Sequence, residues 1–178
     1  MDERKSVKLS KNMVKITITV LIVVAIGRIW YFKNSNKIPI VKNDNPSFAL
    51  HVTDSLDIEK LKSYGIPIMI DFGAESCIPC KQMEPVLKQL NQELRGKAII
   101  KFVDVGQYQK LAQGYPISVI PTQVFLNKEG KPYTPKDPEI SKMQIYSSKD
   151  TKKHVFTTHE GGMSKEEILA IFKEMGVE

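Results

Sequence analysis

Cysteine is scarce in this chain: 178 residues contain only Cys77 and Cys80, separated by two residues. Thiol chemistry can therefore occur at one place only. A zinc site would need two further ligands, and the soft candidates are three scattered histidines, His51, His154 and His159. A structural disulfide between the cysteines would close so small a ring that it would constrain little of the unfolded chain. We favour a redox-active pair over these two interpretations and over a pair of inert core cysteines.

The chain also lacks net charge outside its N-terminal tail. The formal net charge is +6, but residues 1–37 contain eight lysines and arginines against two acidic residues. The other 141 residues contain 18 basic and 18 acidic side chains, which cancel. Nucleic-acid binding requires a basic patch or stripe on the folded domain, so we expect no nucleic-acid partner. The sequence contains no internal repeats.

Residues 14–32 form a long apolar stretch, and its 19 residues approach the roughly 20 that a helix needs to cross a bilayer. Arg28 lies near its end, where a long basic side chain can reach the interface beside Trp30 and Tyr31. Five basic residues precede the apolar core that begins at residue 16, a bias that keeps the N-terminus in the cytoplasm. We therefore expect a single-pass anchor in the cell membrane, with residues 1–13 cytoplasmic and the catalytic domain extracytoplasmic.

A cleaved signal peptide is the alternative to this anchor, because residues 25–27 place small side chains at the spacing that signal peptidase recognises. The charge of Arg28 and the bulky aromatic residues that follow at once favour an uncleaved anchor. The absence of cysteine from this region excludes a lipoprotein anchor. Residues 33–46 are polar and include two prolines, which predicts a linker. The folded domain is expected to comprise residues 47–178.

An apolar, β-branched run at 66–72 predicts a buried strand that leads to the cysteine pair. After it, apolar side chains follow a helical period at Met83, Val86, Leu87, Leu90 and Leu94. Cys77 therefore lies at a helix N-terminus, where free N–H groups and the helix dipole should lower the pKa of its thiol below about 8.5. Pro79 suits the first turn, and Cys80, one turn further, should be more buried. This arrangement is typical of an attacking thiol followed by a resolving thiol.

Two charged residues accompany the predicted strands. Asp71 lies at the end of its apolar strand, and an acid there is costly to bury unless it has a partner or a function. The alternative for Asp71 is an exposed strand end. Lys101, in the apolar segment 98–105, could equally be an ordinary strand-edge lysine.

The segment 71–81 resembles the active-site segment of thioredoxins. Further motifs follow in the same order as in that family. Pro85 resembles the proline that kinks the active-site helix, and Lys101 resembles a lysine on the next central strand. Ile120-Pro121-Thr122 resembles the cis-proline loop that faces the cysteines, and Gly161 or its neighbour matches a glycine near the last helix.

The resemblance covers residues 48–178, apart from an insertion at 131–153. It implies an α/β fold of the thioredoxin type, in which helices flank a central mixed sheet. The insertion contains three prolines and a helix-start pattern at 137–139. We expect it to be a decorated hairpin loop, and a role in partner recognition is only a hypothesis.

The resemblance also implies a set of catalytic positions. Cys77 attacks a substrate disulfide and Cys80 resolves the intermediate, while Asp71 lies beneath the cysteines and helps to move the proton of the buried thiol. Desolvation is expected to raise the pKa of Asp71. Lys101 is implied to be a nearby charge that modulates Asp71. This chemistry needs no metal and no organic cofactor.

A substrate groove is implied around a cis peptide bond before Pro121. Such a bond would expose the backbone of Ile120 beside Cys77, and an extended substrate segment could pair with it as an added strand. An ordinary trans turn proline is the alternative. Thioredoxins usually carry tryptophan where this chain has Gly73 and Ser76, so we expect a more open site with altered partner choice. The positions implied to contact substrate are Ser76, Ile78, Pro79, Ile120, Pro121, Thr122 and Gly161.

These expectations describe a thiol–disulfide oxidoreductase that acts as a monomer. Its Cys-Ile-Pro-Cys pair with a buried acid favours a reductant of disulfide-bearing extracytoplasmic proteins. An exported reductant needs electrons from inside, which implies a membrane electron-transfer partner, and cytochrome c maturation or repair of wrong disulfides would be typical tasks. The alternatives are a disulfide-forming oxidase or isomerase, and a holdase or assembly module that uses the groove without redox turnover.

Periodicity and turn residues predict the remaining elements of the domain. Strands are expected at 48–52, 67–72, 98–105, 122–126 and 155–157. Helices are expected at 80–95, at 107–114 and at 164–175, the last with a capping box that begins at Ser164. A further short helix, capped by Thr53 or Asp54, is expected to end at Gly65.

Overall fold

A computed structural model describes residues 21, 22, 24, 27, 28, 45–139 and 142–178. The chain divides into two compact units, Met1–Val41 and Lys42–Glu178. The segment predicted to be cytoplasmic (1–13), most of the predicted anchor (14–32) and nearly all of the predicted linker (33–46) lie outside the described residues. The described residues of the anchor are helical. No helix among the residues just given is long and apolar enough to cross a membrane.

Five strands of the described residues form one sheet in the second unit. They are β1 (Ile68–Gly73), β2 (Ile99–Asp104), β3 (Thr122–Leu126), β4 (Met143–Ser147) and β5 (His154–Glu160). Their spatial order is β2-β1-β3-β5-β4, in which β1 and β2 run parallel and the other neighbouring pairs are antiparallel. All six residues of β1 are buried, as its unbroken apolar run predicts.

Helices cover both faces of this mixed sheet, as the sequence predicts. Within the described part of the unit they are α1 (Ile58–Lys62), α2 (Ile78–Glu93), α3 (Lys165–Glu174) and the 3₁₀ helices Pro46–Phe48 and Gln109–Ala112. On one face, α2 and α3 pack against Met69 and Phe125. On the other face, α1 and the 3₁₀ segments pack against Ile70 and Val124. The alternation of side chains along β1 and β3 thus supplies two separate apolar cores.

The helix starts match the predictions in one case and differ in another. The N–H of Glu167 donates to Ser164 Oγ at 3.2 Å, and the N–H of Ser164 donates to a Glu167 carboxylate oxygen at 2.7 Å, so the capping box of α3 is confirmed. The helix α1 is capped by Asp57, whose carboxylate accepts a hydrogen bond from the third helical residue. The predicted caps Thr53 and Asp54 are therefore wrong, because the helix starts later than expected.

The segment 48–52 does not form the predicted strand. Pro46–Phe48 is a 3₁₀ helix, which Pro46 favours because it fixes φ and lacks an N–H that a ladder would need. Beyond it, the chain reaches the sheet through an isolated parallel bridge between His51 and Phe102. The segment therefore lies along the β2 edge without becoming a strand.

The insertion 131–153 contributes β4, an edge strand that the sequence analysis missed. Met143 is its one buried residue, so no apolar alternation marks it as a strand. It pairs with β5, beginning with Met143 opposite His159. The helix start predicted at 137–139 is a turn in the described residues, and the N–H of Met143 donates back to Pro138 O at 2.9 Å.

Candidate functional site

The two cysteines lie at the junction of β1 and α2. Cys77 is the N-cap of α2, and its Sγ accepts a hydrogen bond from the N–H of Cys80 at 3.3 Å. Pro79 lies in the first turn, as predicted. Cys77 is half-buried, Cys80 is only 3% exposed, and the two residues form a disulfide. The more accessible sulfur thus precedes the helix, and the buried one belongs to its first turn.

Asp104, at the end of β2, holds the turn that leads from β1 to the cysteines. Its carboxylate accepts hydrogen bonds from the N–H of Glu75 at 3.1 Å and from the N–H of Gly106 at 2.8 Å. Glu75 lies two residues before Cys77, so these bonds help to fix the position of the attacking sulfur. The sequence analysis missed Asp104, although an acid at the end of an apolar strand is the same signal that singled out Asp71.

The loop before β3 approaches the cysteines, and its Ile120–Pro121 peptide bond is cis, as predicted. The carbonyl oxygen of Ile120 lies 3.8 Å from Cys77 Sγ. The N–H of Gly161 donates to Pro121 O at 2.8 Å, which ties the loop to the end of β5. Thr122 Oγ1 donates to a carbonyl of the same loop at 2.7 Å. The other predicted contact positions, all of them exposed, are Ser76, Ile78 and Pro79.

Asp71 is fully buried, so the alternative of an exposed strand end is wrong. It lies on the face of β1 that α2 covers, because it alternates with Met69 of that core. Two residues further on the same face, a Cβ at Gly73 would lie 3.2 Å from Cys80 Sγ. Burial raises the pKa of the Asp71 carboxyl from 3.8 to about 7, against an opposing hydrogen bond from Gln123. The expected direction of this shift is confirmed.

Two buried polar residues that the sequence analysis did not assign to the site accompany Asp71. Gln123 Nε2 donates to Asp71 Oδ1 at 2.8 Å, and Gln123 Oε1 lies 2.9 Å from His159 Nδ1. His159 had been considered only as a soft metal ligand. A sequence signal for Gln123 does exist: a polar residue inside the apolar strand that follows the cis-proline is costly to bury unless it has partners.

Lys101 does not lie beside Asp71, and the role implied for it is wrong. In β2 it pairs with Ile70, one position away from Asp71, so its side chain points to the opposite face of the sheet. Its Nζ donates to the carbonyl oxygens of Pro46 and Ala49 at 3.2 and 2.7 Å. Burial lowers the pKa of its amine to about 8. Lys101 fastens the segment before α1 to the edge of the sheet.

The site is open at Ser76 but not at Gly73, so the expected openness holds for one position only. Ser76 is exposed, whereas Gly73 is buried and a Cβ there would lie 2.8 Å from the ring of Phe102. A cavity of about 370 Å³ beside these residues reaches Cys80. Its other walls include His51, Glu84 and Tyr108.

Comparison with known proteins gives one consistent result. The thioredoxin family model matches residues 49–151 of the chain. A thioredoxin of Rickettsia felis is 33% identical over 84 residues, which are 47% of this chain and 80% of that protein. A thioredoxin-like protein of Fusarium culmorum is 37% identical over 83 residues, which are 46% of this chain and 68% of that protein.

Solved structures show the same fold at lower sequence identity. A mutant thioredoxin from Halobacterium salinarum matches with a TM-score of 0.50 and 20% identity, covering 72% of this chain and 90% of the other. The family model and the sequence relatives together carry the assignment, and the site provides the chemistry. This chain belongs to the thioredoxin family, and its Cys77–Cys80 pair is that of a protein-disulfide oxidoreductase.

Proposed function

We propose that this enzyme reduces protein disulfides outside the cytoplasm, where residues 14–32 anchor it to the membrane. The observation that supports the reductive direction is the arrangement of Cys77, Cys80 and Asp71. It combines an accessible sulfur, a buried sulfur and a buried acid that takes up a proton near neutral pH. A dithiol reductant requires these three parts: an attacking thiolate, a resolving thiol and a proton acceptor.

In the first step, the reduced enzyme attacks with Cys77. The thiolate displaces one sulfur of a substrate disulfide, so a mixed disulfide forms and one substrate thiolate leaves. The Ile120 carbonyl, 3.8 Å from Cys77 Sγ, offers a backbone acceptor to an extended substrate segment. The exposed side chains of Ile78 and Val119 add apolar contact that does not demand a particular substrate sequence.

In the second step, Cys80 resolves the mixed disulfide. Its proton passes to Asp71, and the resulting thiolate attacks Cys77 Sγ and releases the second substrate thiolate. The enzyme ends as the Cys77–Cys80 disulfide, which is the state in this structure. Two electrons have then passed from the enzyme to the substrate.

Each turnover must be followed by re-reduction of the enzyme. We propose that a membrane electron-transfer protein supplies the two electrons through a dithiol of its own, by the same exchange chemistry. Cytochrome c maturation and repair of wrong disulfides are the tasks that we propose for such a reductant.

The reduction potential of the Cys77–Cys80 pair tests the direction of the reaction. We expect a value near that of thioredoxin, about −270 mV, when the full-length chain is equilibrated with glutathione and its thiols are counted by alkylation. A value near about −120 mV would contradict the reductive role, and the enzyme would then be a disulfide-forming oxidase. An intermediate value near about −180 mV would favour an isomerase.

The accessibility of Cys77 in intact cells tests the location. With residues 1–13 in the cytoplasm and one membrane crossing, the reduced Cys77 thiol should react with a membrane-impermeant maleimide added from outside. The chain should also sediment with the membranes and resist extraction by high salt. Protection of Cys77 until the cells are lysed would show that the catalytic domain is on the cytoplasmic side.

A further inference from the structure

A row of polar side chains crosses the sheet beneath the cysteines. Asp71 of β1 pairs in register with Gln123 of β3, which in turn pairs with His159 of β5. The exposed fractions of the three residues are 0, 0 and 6%. The row faces α2, because Gln123 Nε2 also lies 3.6 Å from Met83 Sδ. Polar groups buried this deeply are tolerated in proteins when they have hydrogen-bond partners.

The amide of Gln123 has only one acceptable orientation in this row. Its Nε2 donates to Asp71 Oδ1 at 2.8 Å and to Gly161 O at 3.1 Å, and a backbone carbonyl can only accept. Oε1 therefore faces His159 Nδ1 at 2.9 Å and must accept a hydrogen from it. The hydrogen bonds all point the same way, from His159 through Gln123 to Asp71, and each bond polarises the next.

The two carboxyl oxygens of Asp71 are consequently unequal. Oδ1 is occupied as an acceptor, whereas Oδ2 is buried and has no hydrogen-bond partner among the described residues. A proton that binds Asp71 is therefore held on Oδ2. The donor chain favours the ionised carboxylate and so opposes the burial that raises the pKa of Asp71 to about 7.

His159 supplies the donor at the far end of the row. Burial lowers its pKa, so the imidazole is neutral at neutral pH, and its hydrogen is on Nδ1. Charged groups act on it from three elements. Glu167 of α3 and Glu160 of its own strand favour its protonation, and Lys142 in the turn before β4 opposes it.

We infer that Gln123 and His159 are positioning residues that confine the proton of Asp71 to Oδ2 and stabilise the ionised carboxylate. This inference rests on the proposed function in one respect, which is that the proton comes from Cys80. In that step the S–H bond of Cys80 breaks, the proton binds Oδ2, and the electron pair stays on sulfur as the attacking thiolate. The row thereby sets the pH at which the resolving step is fastest.

The substitution Gln123→Met removes the donor while keeping the length of the side chain. In the full-length chain in mild detergent, the titration midpoint of Asp71 should rise by about 1 to 2 pH units, because an ionised carboxylate loses its hydrogen bond. The midpoint is read from the ¹³C signal of labelled aspartate carboxyls, with Asp71→Asn used to identify the signal. His159→Leu should move the midpoint in the same direction by a smaller amount.

The matched control is Thr158→Val. Thr158 is as buried as Gln123 and adjoins His159 on β5, but its side chain points to the other face of the sheet. Its hydroxyl has no partner among the described residues, so its removal should leave the Asp71 midpoint unchanged. A general loosening of the fold would instead affect all these variants alike.

An unchanged Asp71 midpoint in Gln123→Met would overturn the positioning role. Should that variant fail to fold, an unchanged midpoint in His159→Leu would overturn it equally. The pH profile of substrate thiol release in the resolving step is measured in parallel and should move with the midpoint. If the midpoint moves and the rate profile does not, Gln123 positions Asp71 as inferred, and the proposed proton transfer from Cys80 to Asp71 is wrong.

Discussion

Replacing Cys77 with serine is expected to reduce disulfide-exchange activity to background, a loss of about 10³-fold or more. Cys77 is the half-exposed sulfur beside the Ile120 carbonyl, and Cys80 is too buried to replace it as the attacking group. A serine hydroxyl cannot form the mixed disulfide on which the reaction depends. The measurement is reduction of an insoluble or chromogenic protein disulfide by the pre-reduced full-length chain.

The matched variant is Cys80→Ser, which keeps the attacking thiol and removes the resolving one. It should form a mixed disulfide with substrate and fail to release it, so a covalent complex accumulates that dithiothreitol dissolves. If Cys77→Ser retained the biological function of the chain while losing exchange activity, the groove would act in binding or assembly, and redox turnover would not be its purpose.

Replacing Asp71 with asparagine should stabilise the folded protein at alkaline pH. The pKa of Asp71 is 3.8 in its reference state and about 7 when buried, so the folded state binds a proton that the unfolded chain has lost. The contribution of Asp71 to stability is therefore most favourable below pH 4 and declines as the pH rises to about 7. Above pH 7 the full penalty applies, which amounts to at most about 4 kcal/mol.

Urea unfolding of the oxidised protein between pH 4 and pH 8 measures this effect. The difference between the wild-type and Asp71→Asn curves isolates the carboxyl, since every other titrating group is common to both. The gain in the variant should be absent near pH 4 and greatest above pH 7. A difference that does not change with pH would show that Asp71 titrates normally despite its burial.

The same variant should slow the resolving step by roughly 10²-fold at neutral pH, because the thiol of Cys80 loses its proton acceptor. Lys101→Met is the informative control for this rate. Lys101 lies on the opposite face of the sheet, bonded to the carbonyls of Pro46 and Ala49. The pH dependence of its resolving step should match that of the wild type below pH 8.

The parts of the site that depend on neighbouring residues could be predicted from the sequence. The strand that leads to Cys77, the cap at the helix start and the burial of Cys80 all follow from a continuous stretch of chain. The cis bond before Pro121 and the acid at Asp71 followed from family motifs. These features agree with the structure because short-range spacing determines them.

Features that depend on register between strands could not be predicted in this way. Lys101 was misplaced by a single position, and in a strand one position changes the face to which a side chain points. The row formed by Asp71, Gln123 and His159 requires three strands to align, and the residues are far apart in sequence. The strand β4 was missed because an exposed edge strand needs no apolar alternation.

The contact between Gly73 and Phe102 limits the order in which these positions can change during evolution. A Cβ at position 73 would lie 2.8 Å from the Phe102 ring and 3.2 Å from Cys80 Sγ, so a large side chain at 73 and a ring at 102 compete for one volume. A lineage that starts with tryptophan at position 73 must lose it before phenylalanine can be accepted at position 102. A return to tryptophan is blocked until Phe102 has first been replaced by a smaller residue. The two positions therefore diverge and revert as a pair.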